Sequence, residues 1–454
     1  MSRSTTGEIL RLAWPVMASQ ALLNGTGLVD RMMIGRLSEA GSAAIPLAAV
    51  GYAHQLFFLI HSTLVAVGLA CVALMARAIG SGDPDRARRA FAASIQVSFG
   101  VTSAYVLLIL LGGERLLEAL GAEPAVIRIA VPYLRVTVSS ALMLSVTMIC
   151  ESALRANRDP RTPMWIAGGV AIVKLSLNAL LIFGLLGAPR LELFGAALAT
   201  ALSHGFGLAI FVLVLVRTPR RTPTSLRARD LARGSPVVRD VFRIAIPGIA
   251  ERVVLNLGLL AYFWVLSRWY GTLEVAAYTV GIALLNFSWI PGTGYAQACA
   301  TVVGQSLGAQ APDEAMSAGR RATRLALGTA VPLGLLCAVY RIPLARLFTE
   351  DAAVIGALGP FMLVLALGQP FLQLHFALGG AHRGAGDTWT PLLAAILGNW
   401  GCRIPLAIFF AGWLELDVVW VWMALVADHV MRAAFLGISF ASGRWSERSA
   451  ASAA

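Results

Sequence analysis

Charge is scarce in this sequence and lysine nearly absent. Asp, Glu, Lys and Arg make up 13% of the 454 residues, against roughly 25% in a soluble domain, so most of the chain cannot face water. Of the 36 basic residues, Lys174 is the single lysine. A phosphate-binding P-loop needs a lysine directly after its glycines, so ATP is excluded as a driver. The five cysteines, Cys71, Cys150, Cys299, Cys337 and Cys402, stand singly in apolar stretches, which supports neither a disulfide framework nor a zinc centre. No grouping of histidines and carboxylates has metal-ligand spacing, no cofactor is called for, and no acid–base pair suggests an enzyme. The chain does not open on a short apolar run with a small-residue cleavage site. Asn24 and Asp30 interrupt its first hydrophobic run, which is expected to be a retained helix. The net charge of +12 comes from arginines spread over short loops, a pattern of membrane orientation and not of nucleic-acid binding.

What is abundant is apolar length. Hydrophobic residues are 58% of the chain and the mean hydropathy is +0.74. Runs of about 20 apolar residues, enough to cross a bilayer, fall near 9–35, 46–78, 92–113, 125–155, 161–187 and 193–217. Six more follow near 240–270, 275–307, 322–341, 353–381, 388–413 and 417–442. The expected fold class is all-α, with twelve transmembrane helices in two six-helix bundles. The loops alternate in charge. Arg77, Arg86, Arg88 and Arg89 follow span 2, Arg155, Arg158 and Arg161 follow span 4, and Arg320, Arg321 and Arg324 follow span 8, while Glu114, Glu118, Glu123, Glu415 and Asp417 lie in the intervening loops. The positive-inside rule then places the arginine-rich loops and both termini in the cytoplasm. Residues 218–238, with Arg220, Arg221, Arg227, Arg229 and Arg233, are expected to form a cytoplasmic linker that grips anionic lipid. It would join one bundle at 1–217 to another at 239–454.

The two halves repeat each other. Arg155-Ala-Asn-Arg-Asp159-Pro-Arg-Thr162-Pro163 in the first matches Arg383-Gly-Ala-Gly-Asp387-Thr-Trp-Thr390-Pro391 in the second. Ala76-Arg-Ala-Ile-Gly80 matches Gly304-Gln-Ser-Leu-Gly308 at the same offset, and Arg11-Leu-Ala-Trp-Pro15 matches Arg243-Ile-Ala-Ile-Pro247 at an offset only slightly longer. An even number of spans per half makes these parallel repeats, a plan common among alternating-access transporters. Asp159 and Asp387 stand just before Thr-Pro pairs and are expected to cap the helices that follow.

Several segments carry a family resemblance: Val29-Asp30-Arg-Met-Met-Ile-Gly35, Ala48-Ala-Val-Gly51, Thr301-Val-Val-Gly304-Gln305-Ser-Leu-Gly308 and Gly384-Ala-Gly386-Asp387-Thr-Trp-Thr-Pro391. In order and spacing they resemble the multidrug and toxic compound extrusion (MATE) family, over nearly the whole chain. The resemblance implies a V-shaped pair of six-helix bundles around a central cavity. It also implies a secondary transporter exporting amphipathic, often cationic small molecules by antiport against protons or sodium. The chain is expected to act as a monomer in a cell (inner) membrane, and its own residues at the cation site favour protons over sodium. The alternative within the wider superfamily is a flippase for lipid-linked oligosaccharides.

Ionisable side chains at membrane depth cost roughly 2.5–3.5 kcal/mol each near the bilayer centre, so each one in the spans is a candidate for function. Asp30 matches the acidic residue with which the family binds its coupling cation; pairing with neighbouring Arg31 is the structural alternative. In Lys174-Leu-Ser-Leu-Asn178, the lysine and the amide stand where the family places an asparagine and an aspartate, and Thr200 matches a further polar position. Lys174 is expected to face Asp30 as a built-in counter-cation that protonation of Asp30 releases; the alternatives are a static buried pair or a lysine snorkelling to a surface. The two substitutions harm a sodium site, which needs several oxygens and no ammonium. In the second half, Glu251, Arg252 and Arg403 are the candidate substrate-binding residues. Arg252 is also placed to neutralise Glu251, and Arg403, one residue from the repeat position of Lys174, to pair with it. Asp428 and Arg432, four apart, are expected to pair with each other. His54, His61, His204 and His375 are expected to make helix-to-helix hydrogen bonds.

Overall fold

The computed structural model describes residues 6–35, 44–219, 222–226, 230, 237–347 and 351–446. Arg220, Arg221, Arg227, Arg229 and Arg233 of the expected linker, and the side chain of Arg31, lie outside the described residues. Among the described residues the structure is helical, without strands. Twelve long helices follow one another there: α1 Thr6–Gly35, α2 Ala44–Gly80, α3 Pro84–Ala119, α4 Pro124–Ala156, α5 Arg161–Phe183 and α6 Glu192–Arg217, then α7 Val237–Trp269, α8 Thr272–Gly308, α9 Pro312–Val339, α10 Ala352–Gly384, α11 Trp389–Trp413 and α12 Val418–Ala441. Eleven of them are long and apolar enough to cross a membrane. The exception is α1, whose apolar run is interrupted by Pro15, Gln20, Asn24 and Asp30. The chain is an all-α membrane protein.

Several helices outrun their apolar spans because polar ends are still helical. α3 begins at Pro84, two turns before the hydrophobic run, since Asp83 accepts the Arg86 N–H at 2.8 Å and Pro84 occupies the first turn, where no N–H is needed. α11 is not a regular helix. It loosens into π-helical turns over Leu397–Arg403 and Phe409–Trp413. Pro405, just beyond the first of these, has no N–H to give and crowds the carbonyl four residues back, so the regular ladder cannot run through it.

By contacts the described chain divides into two compact units, one of residues 18–75 and 83–243, the other of 1–17, 76–82 and 244–454. In the first, α3 packs on α4, and α6 on both α4 and α5. Its core joins Ile34, Leu56, Ile60, Leu64, Val138 and Ile182. In the second, α10 is central, lying against α8, α9 and α12. Close approach there depends on small residues: a Cβ on Gly380 would collide with the Ala296 backbone and one on Gly384 with that of Ala300, a small-residue seam of the kind that lets membrane helices touch.

The duplication survives in the backbone. The turns after α2 and α8 each hold one left-handed residue, Gly82 (φ 74°) and Gln310 (φ 58°). Those after α4 and α10 do the same with Arg158 (φ 60°) and Gly386 (φ 81°). The members of each pair stand at equivalent positions of the repeat, and each pair tolerates in one half a side chain that glycine avoids in the other. The two helix starts that follow are alike to a tenth of an ångström. Asp159 accepts the Thr162 N–H at 3.1 Å and its hydroxyl at 2.6 Å, and Asp387 accepts the Thr390 N–H at 3.1 Å and its hydroxyl at 2.6 Å.

Candidate functional site

Asp30, in the second half of α1, is held from α5. Lys174 Nζ donates to its Oδ2 and Asn178 Nδ2 to its Oδ1. The spacing of four puts both donors on one face of α5, so each carboxylate oxygen has its own partner. The Lys174 and Asp30 side chains are not fully enclosed, remaining 20% and 19% exposed. Asn178 is 1% exposed, and its Oδ1 has no partner among the described residues. Tyr133 of α4 lies within range of the Asp30 charge. Thr200 of α6 is not drawn in: its hydroxyl donates to the Ala196 carbonyl one turn back, at 2.9 Å.

The second half carries no copy of this pair, although the same positions are occupied. Tyr262 is the repeat counterpart of Asp30, and Arg403 falls within one residue of the counterpart of Lys174. Here the cation lies over a ring: the Arg403 guanidinium carbon is 4.1 Å from the Tyr262 ring centroid, and Nη2 donates to the Tyr278 hydroxyl at 2.6 Å. Tyr262 is itself fixed, donating to the Val421 carbonyl at 2.7 Å. Thr200 and His204 correspond across the repeat to Asp428 and Arg432, which form a two-pronged buried pair with contacts of 2.5 and 2.7 Å. An ion pair with a titratable carboxylate in one repeat is thus replaced in the other by cation–π contact and a closed salt bridge.

Glu251 corrects one expectation. Among the described residues its salt bridge is not to Arg403 but to Arg383, whose Nη2 donates to it at 2.6 Å, with the charge of adjacent Arg252 beside it. The repeat explains why. Arg155, the first-half counterpart of Arg383, bonds Glu151 one turn earlier on its own helix at 3.2 Å. The second-half counterpart of Glu151 is Gly379, and the Arg383 guanidinium lies where a Cβ on Gly379 would point, Nη1 only 2.9 Å away. Having lost its local carboxylate, the second-half arginine takes one from α7. The exchange of Glu151 for Gly379 between the aligned repeats is the sequence signal for this pairing.

His382 and Asp387 form another contact that residue spacing alone does not show, at 3.1 Å. Asp387 lies in the loop outside the membrane helices. Burial by itself raises its carboxyl, yet bonds from His382 and from the Thr390 hydroxyl and N–H together hold it below the ordinary carboxylate range.

A protein-family model described as MatE matches residues 15–180 and 247–409, one stretch in each repeat. The chain is 26% identical over 441 residues to the probable multidrug resistance protein NorM of Thermotoga maritima, covering 97% of this chain and 93% of that one. To the probable multidrug resistance protein NorM of Bradyrhizobium diazoefficiens it is 30% identical over 441 residues, covering 95% and 92%. Among solved structures, the outward-facing conformation of a multidrug resistance MATE family transporter of the MOP superfamily matches with a TM-score of 0.88 at 20% identity, covering 98% of this chain and 96% of that chain. At that identity the likeness speaks for the fold. With a family model matched over most of its length and a relative at 30% identity along nearly all of it, this chain belongs to the MatE family of membrane transporters.

Proposed function

We propose that this transporter exports amphipathic compounds, many of them cationic, by antiport against protons. The observation that carries the proposal is the double hold on Asp30 by Lys174 and Asn178. Ionised, the carboxylate satisfies both donors and is neutralised by the ammonium. Protonated, it no longer attracts Lys174. Turning the Asn178 amide over then presents the partnerless Oδ1 to the new carboxylic O–H, so one amide serves both states. Water access at Asp30 supplies the proton, and release of the pair supplies two discrete arrangements of α1 against α5 for transport to follow.

Sodium is disfavoured by the same geometry. A hard cation needs several oxygens; here the carboxylate already holds an ammonium and an amide N–H. The arginine-rich loops support a cytoplasmic location for both termini and, with the relatives' description as multidrug resistance proteins, a cell inner membrane. The chain acts as a transporter and not as an enzyme, and one copy contains both repeats.

The test is efflux of a cationic dye from proteoliposomes under a pH gradient and then under a sodium gradient, for wild type and Asp30→Asn. The proposal expects efflux under the pH gradient alone and its loss in Asp30→Asn. Efflux driven by sodium with no dependence on pH contradicts it.

A further inference from the structure

We infer that His204 is a second seat for the Lys174 ammonium, with Ser140 fixing the imidazole so that its free nitrogen can receive it. The inference rests on the release of Lys174 from Asp30 proposed above, and extends it to where the ammonium goes.

The argument begins with one hydroxyl hydrogen. Ser140 Oγ lies 2.6 Å from the Thr137 carbonyl and donates to it, since a carbonyl can only accept. A serine hydroxyl has a single hydrogen, so at its other contact, 3.0 Å to His204 Nδ1, Oγ is the acceptor. Nδ1 therefore carries the hydrogen, and in the neutral ring Nε2 carries a lone pair. The tautomer is set by a second bond, as in histidines whose role depends on which nitrogen is free. Stacking against Phe57, with centroids 6.3 Å apart and planes 13° from parallel, restrains the ring further.

The surroundings point to Lys174 as the group that uses this lone pair. α6, which carries His204, packs on both α4 and α5. Along the seam with α5 a Cβ on Gly207 would meet Val170 and one on Gly195 would meet the Leu181 backbone, so the two antiparallel helices bring Lys174 level with His204. The other charged and titratable groups near the ring and the pair are His61 on α2, Tyr133 on α4 and Asp30 on α1. Lys174 thus has a carboxylate that binds it when ionised and, on the facing helix, an imidazole nitrogen that accepts an N–H at any pH at which the ring is neutral. An ammonium dismissed from Asp30 with no other acceptor would sit in the membrane without a partner, which is expensive. His204 removes that cost and makes protonation of Asp30 easier. The repeat sharpens the point: the second-half counterpart of His204 is Arg432, locked to Asp428, so that position has no lone pair to offer there.

The experiment is 15N NMR of histidine-labelled protein in nanodiscs, comparing wild type with Asp30→Asn and assigning the His204 signals by their loss in His204→Leu. In wild type near neutral pH His204 is expected as the Nδ1–H tautomer, with a bare Nε2. In Asp30→Asn, which mimics the protonated carboxyl, the Nε2 signal is expected to move as it accepts from Lys174. An Nε2–H tautomer, or an Nε2 signal indifferent to Asp30→Asn, overturns the inference, and neither result depends on transport. In proteoliposomes, His204→Leu is expected to move the pH midpoint of dye efflux to lower pH by about one unit, a tenfold loss in proton affinity. A midpoint unchanged from wild type overturns the inference while leaving proton coupling through Asp30 intact.

Discussion

The choice of lysine over arginine at 174 matters because the two cations hold a carboxylate differently. An ammonium is a single point of charge that can swing between acceptors, whereas a guanidinium grips both oxygens in a planar fork and stays there. At Asp30 only one oxygen goes to the cation and the other to Asn178, an arrangement a fork would displace. Arginines of the second half sit in closed arrangements instead: Arg432 with Asp428, Arg383 with Glu251, Arg403 with two tyrosines. Lys174→Arg is therefore expected to fold and to slow pH-driven dye efflux at neutral pH by about tenfold, because protonation must now break a two-pronged bond. Efflux as fast as wild type would remove the need for a releasable ammonium.

Among the elements, the helix starts were the most legible in the sequence and the irregular helix the least. Asp-x-x-Thr-Pro reads directly as a cap, and both copies form one with the same two distances. The twelve spans could be placed from apolar runs, but their ends fell short wherever arginines continue a helix past the lipid, as in α3. The π-helical turns of α11 left no mark in hydropathy, since they change the backbone ladder and not the apolar character of the run. The caps give a stability prediction. Asp159→Ala is expected to cost about 1 kcal/mol and Asp387→Ala about 2 kcal/mol, since the latter also deprives buried His382 of its acceptor. The Asp387 carboxyl is held below its unfolded value of about 3.9, so its contribution is whole above that pH and is lost as pH falls through the folded value. Thermal unfolding of the purified protein checks this: the gap between Asp387→Ala and wild type should be present at pH 7 and should shrink in acid. A gap that widens in acid contradicts the assignment.

Across the whole molecule, the repeats share turns, caps and prolines, while their buried charges diverge. The sequence showed this divergence as a set of unmatched residues; it could not show which of them meet. Asp30 with Lys174 was within reach of inference because both stood out as rare charges in apolar helices. Tyr262 under Arg403 was not, because a tyrosine in an apolar helix looks like core until a cation is placed over it. His204 was legible as a helix-to-helix hydrogen-bonding residue, and its bond to Ser140 does join α6 to α4, but the Thr137 carbonyl that takes the serine hydrogen was not legible. The structural result is one repeat with an ion pair between Asp30 and Lys174 and one whose equivalents are a cation–π contact and a two-pronged salt bridge. The central claim, that Asp30 takes a proton and lets Lys174 go, is tested most directly by infrared titration of the carboxyl groups in wild type, Asp30→Asn and Lys174→Ala. A protonated-carboxyl band absent from Asp30→Asn should appear on acidification of wild type, and in Lys174→Ala it should appear at a pH higher by about one to two units, because the counter-cation is gone. A band with the same midpoint in Lys174→Ala as in wild type, or no band that depends on Asp30, would contradict the account.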